Sequence, residues 1–194
     1  MALSAVVFDV GETLVDETRN WELAANASGV ARFTLMALVG AAIERGESHR
    51  RAFEWLGVDE PASDFDANEL YPDAAPCLRE LRRRGLLVGA VGNMRIVQEE
   101  LVRPHVDFAA SSERWRVQKP SREFFARVAS EVDRPPEEIA YVGDRVDNDV
   151  VPALAAGFTA VHVRRGPWGI LHEPPAEALR VRSLAELPEV LARA

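Results

Sequence analysis

The chain has 194 residues, 47% of them hydrophobic and 7% aromatic, which is typical of one globular domain with a small insert. The net charge of −8 and the lack of a basic stripe argue against nucleic acid as a partner. No run of roughly 20 apolar residues spans a bilayer, and the N-terminus lacks the basic start of a signal peptide. A single cysteine, Cys77, excludes an internal disulfide or a thiolate metal cluster. We expect a cytoplasmic protein, monomer or homodimer, that does not bind a membrane.

Short apolar runs alternate with helical stretches along most of the chain. The runs predict strands at residues 5–9, 86–91, 139–142 and 160–163, and helices at 74–84, 96–102, 121–132 and 149–156. Gly157 suits the position that follows a helix C-terminus. This order predicts an α/β fold with a Rossmann-like parallel sheet and helices on both faces.

Residues 17–70 break the alternation, because they have helical composition without an intervening strand. We interpret this segment as a helical cap domain inserted into a core domain formed by residues 1–16 and 71–194. Residues 58–68 are expected to form a loop within it. The alternative is a pair of crossover helices that pack on the sheet.

Polar side chains stand where the predicted strands end. Asp9 ends the first strand, Asn93 follows the second and Asp144 follows the third, and in parallel sheets ligands gather at this edge. Asp147 and Asp149 add carboxylates directly after Asp144. Grouped carboxylates need a cation, and Mg²⁺ prefers oxygen ligands together with a phosphate. The alternative for the acidic run is N-capping of the following helix.

Lys119 is the only lysine among 23 basic residues, the others being arginine. This indicates a position that needs a compact ammonium group, although chance retention is the alternative. Pro120 is expected in the first turn of the next helix, where it would direct Lys119 towards the phosphate and the carboxylates.

The order of these motifs resembles the haloacid dehalogenase superfamily over residues 5 to about 165. Asp9 to Thr13 is similar to its first motif, residues 91–93 to its second, Lys119 to its third, and Gly143-Asp144 with Asp149 to its fourth. The resemblance implies hydrolysis of a small phosphorylated metabolite through an aspartyl-phosphate. Its catalytic residues would be Asp9, Lys119 and Asn93, and its Mg²⁺ ligands Asp9, the Gly11 carbonyl, Asp144 and Asp149.

Two positions depart from the family pattern. Gly11 replaces the second aspartate, which protonates the leaving alcohol, and a general acid contributes roughly a hundred- to ten-thousand-fold in rate. Gly92 replaces a Ser or Thr that donates a hydroxyl to the phosphate, so only its backbone amide is left for substrate binding. Glu12 is a possible substitute for the acid, and the alternative is that it is simply a solvated side chain.

These departures leave three functions open. A phosphatase for good leaving groups, such as acyl phosphates, ranks first, and a non-catalytic phosphometabolite-binding protein ranks second. A haloacid dehalogenase ranks third because that reaction does not need the acidic metal cluster. Phosphonate cleavage would require a cap lysine, which is absent. Trp21 and Arg95 are candidate substrate-binding residues, with hinge packing and a solvated surface as their respective alternatives.

Overall fold

The computed structural model describes residues 2–61 and 69–194, and its chain divides into two compact units. Met1–Val15 and Leu70–Ala194 form an α/β unit, and Asp16–Glu69 form a helical unit. Part of the loop predicted at residues 58–68 lies outside the described residues.

Strands in the described residues fall into two sheets. They are β1 (Ala5–Phe8), β2 (Val15–Asp16), β3 (Glu69–Leu70), β4 (Leu87–Gly92), β5 (Phe108–Ser111), β6 (Ile139–Gly143), β7 (Thr159–Val163) and β8 (Leu179–Val181). Strands β2 and β3 form a small sheet of their own. The main sheet has the order β5-β4-β1-β6-β7-β8, with every neighbouring pair parallel. The predicted parallel sheet is therefore confirmed, and β5 and β8 are additions to it.

Helices of the helical unit are α1 (Thr18–Ala27), α2 (Arg32–Glu44) and α3 (Arg50–Leu56). Leu35, Val39 and Ile43 of α2 and Phe53 of α3 are buried. Taken alone, no helix in the parts of the chain described is long and apolar enough to cross a membrane; α1 and α2 pass that test only as a pair bent by 112°.

Helices of the α/β unit are α4 (Ala74–Arg83), α5 (Ile96–Val102), α6 (Ser112–Trp115), α7 (Arg122–Val132), α8 (Val151–Ala155), α9 (Gly166–Leu171) and α10 (Leu187–Leu191). Each face of the sheet has an apolar core. Val6, Phe8 and Val88 pack with Leu78 and Leu81 of α4, whereas Val7 and Tyr141 pack with aromatic residues of α7. This two-sided burial explains why the central strands read as continuous apolar runs.

Two predicted details of the helices are corrected. Pro120 does not lie in the first turn of α7, because Ser121 is the N-cap and accepts a hydrogen bond from the Phe124 amide. The helix predicted over 149–156 is divided into a π-helical segment, Val146–Val150, and α8. Gly157 follows this helix with a positive φ of 87°, as its predicted role requires.

The order of strands in the main sheet determines where a site can form. From β1 the chain proceeds to β4 and β5 on one side, then to β6, β7 and β8 on the other. A parallel sheet with such a reversal has a crevice at the carboxyl ends of the strands beside it, here β1, β4 and β6. Asp9, Asn93 and Asp144 follow these three strands directly.

Candidate active site

Asp9 stands at the end of β1, in the middle of the sheet. Its backbone amide donates to the Val142 carbonyl at 2.8 Å, which continues the pairing with β6 by one residue. The preceding residue, Phe8, is fully buried, and Asp9 itself is only 7% exposed. Central β-pairing and the core beneath thus fix the carboxylate at the carboxyl edge of the sheet.

Lys119 brings two of the carboxylates together. Its Nζ lies 2.5 Å from Asp9 Oδ1 and 2.5 Å from Asp149 Oδ1. Burial lowers the pKa of this lysine, but the negative charges of Asp149 and Asp9 outweigh burial and raise the pKa well above its ordinary value. The ammonium group therefore stays charged while buried, because it is paired on two sides.

Asp144 completes a group of three acids. Single carboxylate oxygens of Asp9, Asp144 and Asp149 all lie within 4.8 Å of one another, and all three residues are buried. Burial, followed by the charges of Asp149 and Asp9, raises the pKa of Asp144 well above its usual range. Burial likewise raises the pKa of Asp149 to about 6, although Lys119 acts against it. One ammonium group does not fully compensate three clustered acids.

An unsatisfied oxygen shows what this cluster lacks. Asp144 Oδ2 is buried and has no hydrogen-bond partner among residues 2–61 and 69–194. Leaving such an oxygen buried and unpaired is costly. A small divalent cation among three carboxylates would satisfy it and lower their mutual repulsion. The donor set, all oxygen, fits Mg²⁺.

Gly143 makes room for the third carboxylate. A Cβ atom built at this position would lie 2.4 Å from Asp149 Cγ and 2.5 Å from Asp149 Cβ, closer than real contacts allow. Asp149 Oδ2 accepts the Arg145 amide at 3.0 Å, so the carboxylate is held from the backbone as well as from Lys119. The Gly-Asp pair therefore supplies both one acid and the space for another.

The Asn93 side chain contacts the backbone of Lys119. Its Oδ1 accepts the Lys119 amide at 2.8 Å, and its Nδ2 donates to the Lys119 carbonyl at 3.0 Å. The described contacts thus give Asn93 a positioning function. Gly92, one residue earlier, lies beside the Asp9 carboxylate, because a Cβ there would be 2.9 Å from Asp9 Oδ1.

Glu12 is buried, since it is only 7% exposed. Its Oε2 accepts a hydrogen bond from the Tyr71 hydroxyl at 2.7 Å, and its backbone has a positive φ of 52°. Tyr71 in turn stacks under the Arg165 guanidinium at 4.0 Å. The loop after Asp9 is thereby tied to the rest of the α/β unit, and the alternative of a freely solvated Glu12 is wrong.

Two residues near the site were not identified from the sequence. His162 on β7 is buried, and its Nε2 lies 3.0 Å from the Asp144 carbonyl oxygen. Tyr141 on β6 donates to the Val91 carbonyl at 3.1 Å, and its ring centroid is 5.8 Å from Lys119 Nζ. A polar residue inside each buried strand was the available signal, and both contacts support neighbouring site residues.

The other site residues considered from the sequence lie outside the buried acidic group. Asp147 pairs with Arg145 at 2.7 Å and is half exposed, so it is not a member of the buried acidic group. Arg95 is the half-buried N-cap of α5, which begins just after Asn93. Trp21 belongs to α1 of the helical unit, where its ring meets the His49 ring edge-on at 5.6 Å. Substrate binding by Arg95 or Trp21 stays a prediction.

The comparisons with known proteins agree with this architecture. The family model of haloacid dehalogenase-like hydrolases matches residues 3–157. A glyceraldehyde 3-phosphate phosphatase from Methanopyrus kandleri is 30% identical over 237 aligned positions, which cover 98% of this chain and 99% of the relative. The chain therefore belongs to the haloacid dehalogenase-like hydrolase family.

Solved structures show the same fold at lower identity. An L-2-haloacid dehalogenase from Xanthobacter autotrophicus has a TM-score of 0.71 and 21% identity, with 98% of each chain covered. A HAD-hydrolase from Bacillus subtilis, solved with magnesium, has a TM-score of 0.73 and 16% identity over 98% of this chain and 99% of its own. At these identities the likeness concerns the fold alone, which phosphatases and dehalogenases share.

Proposed function

We propose that the chain is a Mg²⁺-dependent phosphatase that forms an aspartyl-phosphate on Asp9. The observation that carries the proposal is the buried charge arrangement: Lys119 bridges Asp9 and Asp149, while Asp144 Oδ2 is unpaired. A halide displacement needs a carboxylate nucleophile but no acidic group of this kind. The similarity to a curated phosphatase over nearly the whole chain supports the same choice.

The residues would act as follows. An Asp9 carboxylate oxygen bonds to phosphorus as the bond from phosphorus to the leaving oxygen breaks. A water oxygen then bonds to phosphorus as the Asp9–phosphorus bond breaks, which releases phosphate and restores the carboxylate. Lys119 keeps Asp9 oriented and its charge balanced during both steps. Mg²⁺ bound by Asp9, the Gly11 carbonyl, Asp144 and Asp149 would offset charge on the phosphoryl oxygens.

Gly11 limits the substrates that this site can use. The leaving oxygen has no side-chain proton donor at that position, so it must leave as an anion or take its proton from solvent. Acyl phosphates leave readily in this way, whereas alkyl phosphates do so slowly. We therefore propose a small acyl phosphate, or another phosphorylated metabolite with a good leaving group, as the substrate.

The same glycine favours one second candidate, a protein that binds a phosphorylated metabolite without turnover. Both candidate functions use the same site around Asp9, and they differ only in whether phosphate is released. A direct assay of phosphate release therefore separates them.

The test is an assay panel of acetyl phosphate, glyceraldehyde 3-phosphate, phosphoserine and 2-chloropropionate, each with Mg²⁺ and with EDTA. Asp9→Asn serves as the blank, and Asp147→Asn, which removes an acid outside the cluster, is the matched control. Phosphate release that needs Mg²⁺ and Asp9, together with a phosphoryl adduct on Asp9 in acid-quenched peptides, is the expected result.

Other outcomes assign other functions. Saturable binding of the phosphorylated compounds without phosphate release would establish the binding protein. Halide release that persists in EDTA and is lost in Asp9→Asn would establish the dehalogenase.

A further inference from the structure

A second charged cavity lies at the carboxyl ends of β7 and β8 within the α/β unit. Its volume is about 560 Å³, and the charged or titratable side chains that matter here are His162, Arg164, Arg180, Arg182, Glu173 and Glu186. Strand β8 is the edge of the sheet, two positions from β6, which leads to Asp144. The cavity is thus separate from the carboxylate cluster but lies along the same edge of the sheet.

The strand pattern explains why basic side chains collect here. Val161, Val163 and Val181 belong to the apolar core on one face of the sheet. Alternate residues of a strand point to opposite faces, and His162 pairs in register with Arg180. His162 and Arg180, which alternate with these core residues, therefore share the other face, and Arg164 and Arg182 come directly after the ends of β7 and β8.

Some of this charge is already compensated. Arg180 pairs with Glu173 at 3.2 Å and donates to the Pro174 carbonyl at 2.8 Å. Glu186 accepts the backbone amide of Arg182 at 3.2 Å. Within the described parts of the chain, the guanidinium groups of Arg164 and Arg182 make no ion pair or hydrogen bond.

A comparison within the same unit makes the difference clear. A cavity of about 720 Å³ near the end of α4 is also lined by arginines. There Arg82 pairs with Asp107 at 2.8 Å and Arg83 with Glu80 at 2.7 Å, and among the described residues only the third arginine, Arg79, lacks an ion pair. The cavity at the ends of β7 and β8 has two such unpaired guanidinium groups, both exposed to solvent, in a chain whose net charge is −8.

We propose that the cavity beside Arg164 and Arg182 binds a small molecule through a phosphate or carboxylate group. A guanidinium fork matches the paired oxygens of either anion, and the volume lies in the range of small-molecule sites, roughly 300 to 1,000 Å³. The buried His162 lines the cavity and also contacts the Asp144 carbonyl, so a ligand here lies one side chain away from the acidic cluster. This site goes beyond the proposed phosphatase function and does not depend on it.

The test is a titration of the full chain, in EDTA, with inorganic phosphate and separately with citrate, followed by backbone amide NMR shifts. EDTA removes the cation that phosphate would need at Asp9. The test variant is Arg164→Gln with Arg182→Gln. The matched control is Arg134→Gln with Arg193→Gln, which removes the same charge from exposed positions that do not line the cavity.

We expect saturable shifts at residues 162–164 and 180–182, with affinity at least about tenfold weaker in the test variant and unchanged in the control. Response to phosphate alone, or to citrate alone, decides between the two ligand groups. Shifts confined to the loop after Asp9, equal weakening in both double variants, or no saturable shift with either probe would overturn the proposal. Because all arms are run without Mg²⁺, failure of the phosphatase assay does not affect this result.

Discussion

Asn93 holds the backbone of Lys119 in both directions, accepting from its amide at 2.8 Å and donating to its carbonyl at 3.0 Å. These two bonds join the end of β4 to a loop 26 residues further along the chain. Asn93 therefore positions the Lys119 ammonium group by holding the Lys119 backbone. A substitution of Asn93 should change the contact between Lys119 and Asp9.

Asn93→Ala removes both bonds while leaving every charged group in place. We expect kcat on acetyl phosphate to fall about 10- to 100-fold, because a misplaced lysine no longer orients Asp9, the proposed nucleophile. Ser112→Ala is the control, because the Ser112 hydroxyl donates to the carbonyl of Met94, the residue after Asn93. This variant should leave kcat nearly unchanged. Equal kcat for Asn93→Ala and the unmodified chain would show that the two hydrogen bonds from Asn93 do not position Lys119.

Gly11→Asp introduces a carboxylic acid at the position where the family resemblance implies one. We expect faster hydrolysis of simple alkyl phosphates, by about tenfold or more, and little change with acyl phosphates, whose leaving groups need no proton. Steady-state kinetics on both substrate types measure the ratio. An unchanged or lower rate on the alkyl esters would show that the missing acid does not limit this site.

The pH dependence of stability follows from the raised pKa of Asp149, about 6. The folded chain therefore binds the Asp149 proton more tightly than the unfolded chain, in which the pKa of an aspartate is about 4. Without divalent cations, the free energy of unfolding should therefore decrease as pH rises from about 4 to above 6. Mg²⁺ should reverse the loss at neutral pH, because it binds the folded, ionised cluster.

Thermal melts from pH 4.5 to 7.5, with EDTA and with Mg²⁺, measure this effect. Asp149→Asn in EDTA should show a smaller decline over the same range. A melting temperature that rises steadily with pH in EDTA would contradict the raised pKa.

Gly143→Ala tests the packing of the acidic cluster. The added Cβ would meet Asp149 at 2.4 to 2.5 Å, so either the π-helical segment or the end of β6 must shift. We expect a loss of about 2 kcal/mol or more in stability, together with weaker Mg²⁺ binding. Gly40→Ala in α2, where nothing lies within 4 Å of the new Cβ, should be neutral or slightly stabilising. Similar denaturation curves for the two variants would show that Asp149 has more room than its contacts indicate.

Much of the α/β unit could be predicted from the sequence because its central strands are buried on both sides and form continuous apolar runs. Strand β5, Phe108–Ser111, was missed because two of its four residues are alanine, which favours helix over strand. Strand β8 is an edge strand of three residues with an exposed arginine at its centre. Such short segments acquire their structure from pairing with a neighbour.

The acidic cluster was predictable because its members follow strands that meet at one edge. The supporting contacts were not, since Asn93 meets the backbone of Lys119 and His162 meets a backbone carbonyl, and a sequence pattern does not record such partners. The surroundings of Glu12 could not be predicted for a related reason. A polar residue in a loop suggests solvation, whereas here the Tyr71 hydroxyl, 59 residues away, satisfies a buried carboxylate.

All four charged groups of the cluster, Asp9, Lys119, Asp144 and Asp149, belong to the α/β unit, and none comes from Asp16–Glu69. A substitution in the insertion therefore alters none of the four charges that balance one another in this cluster.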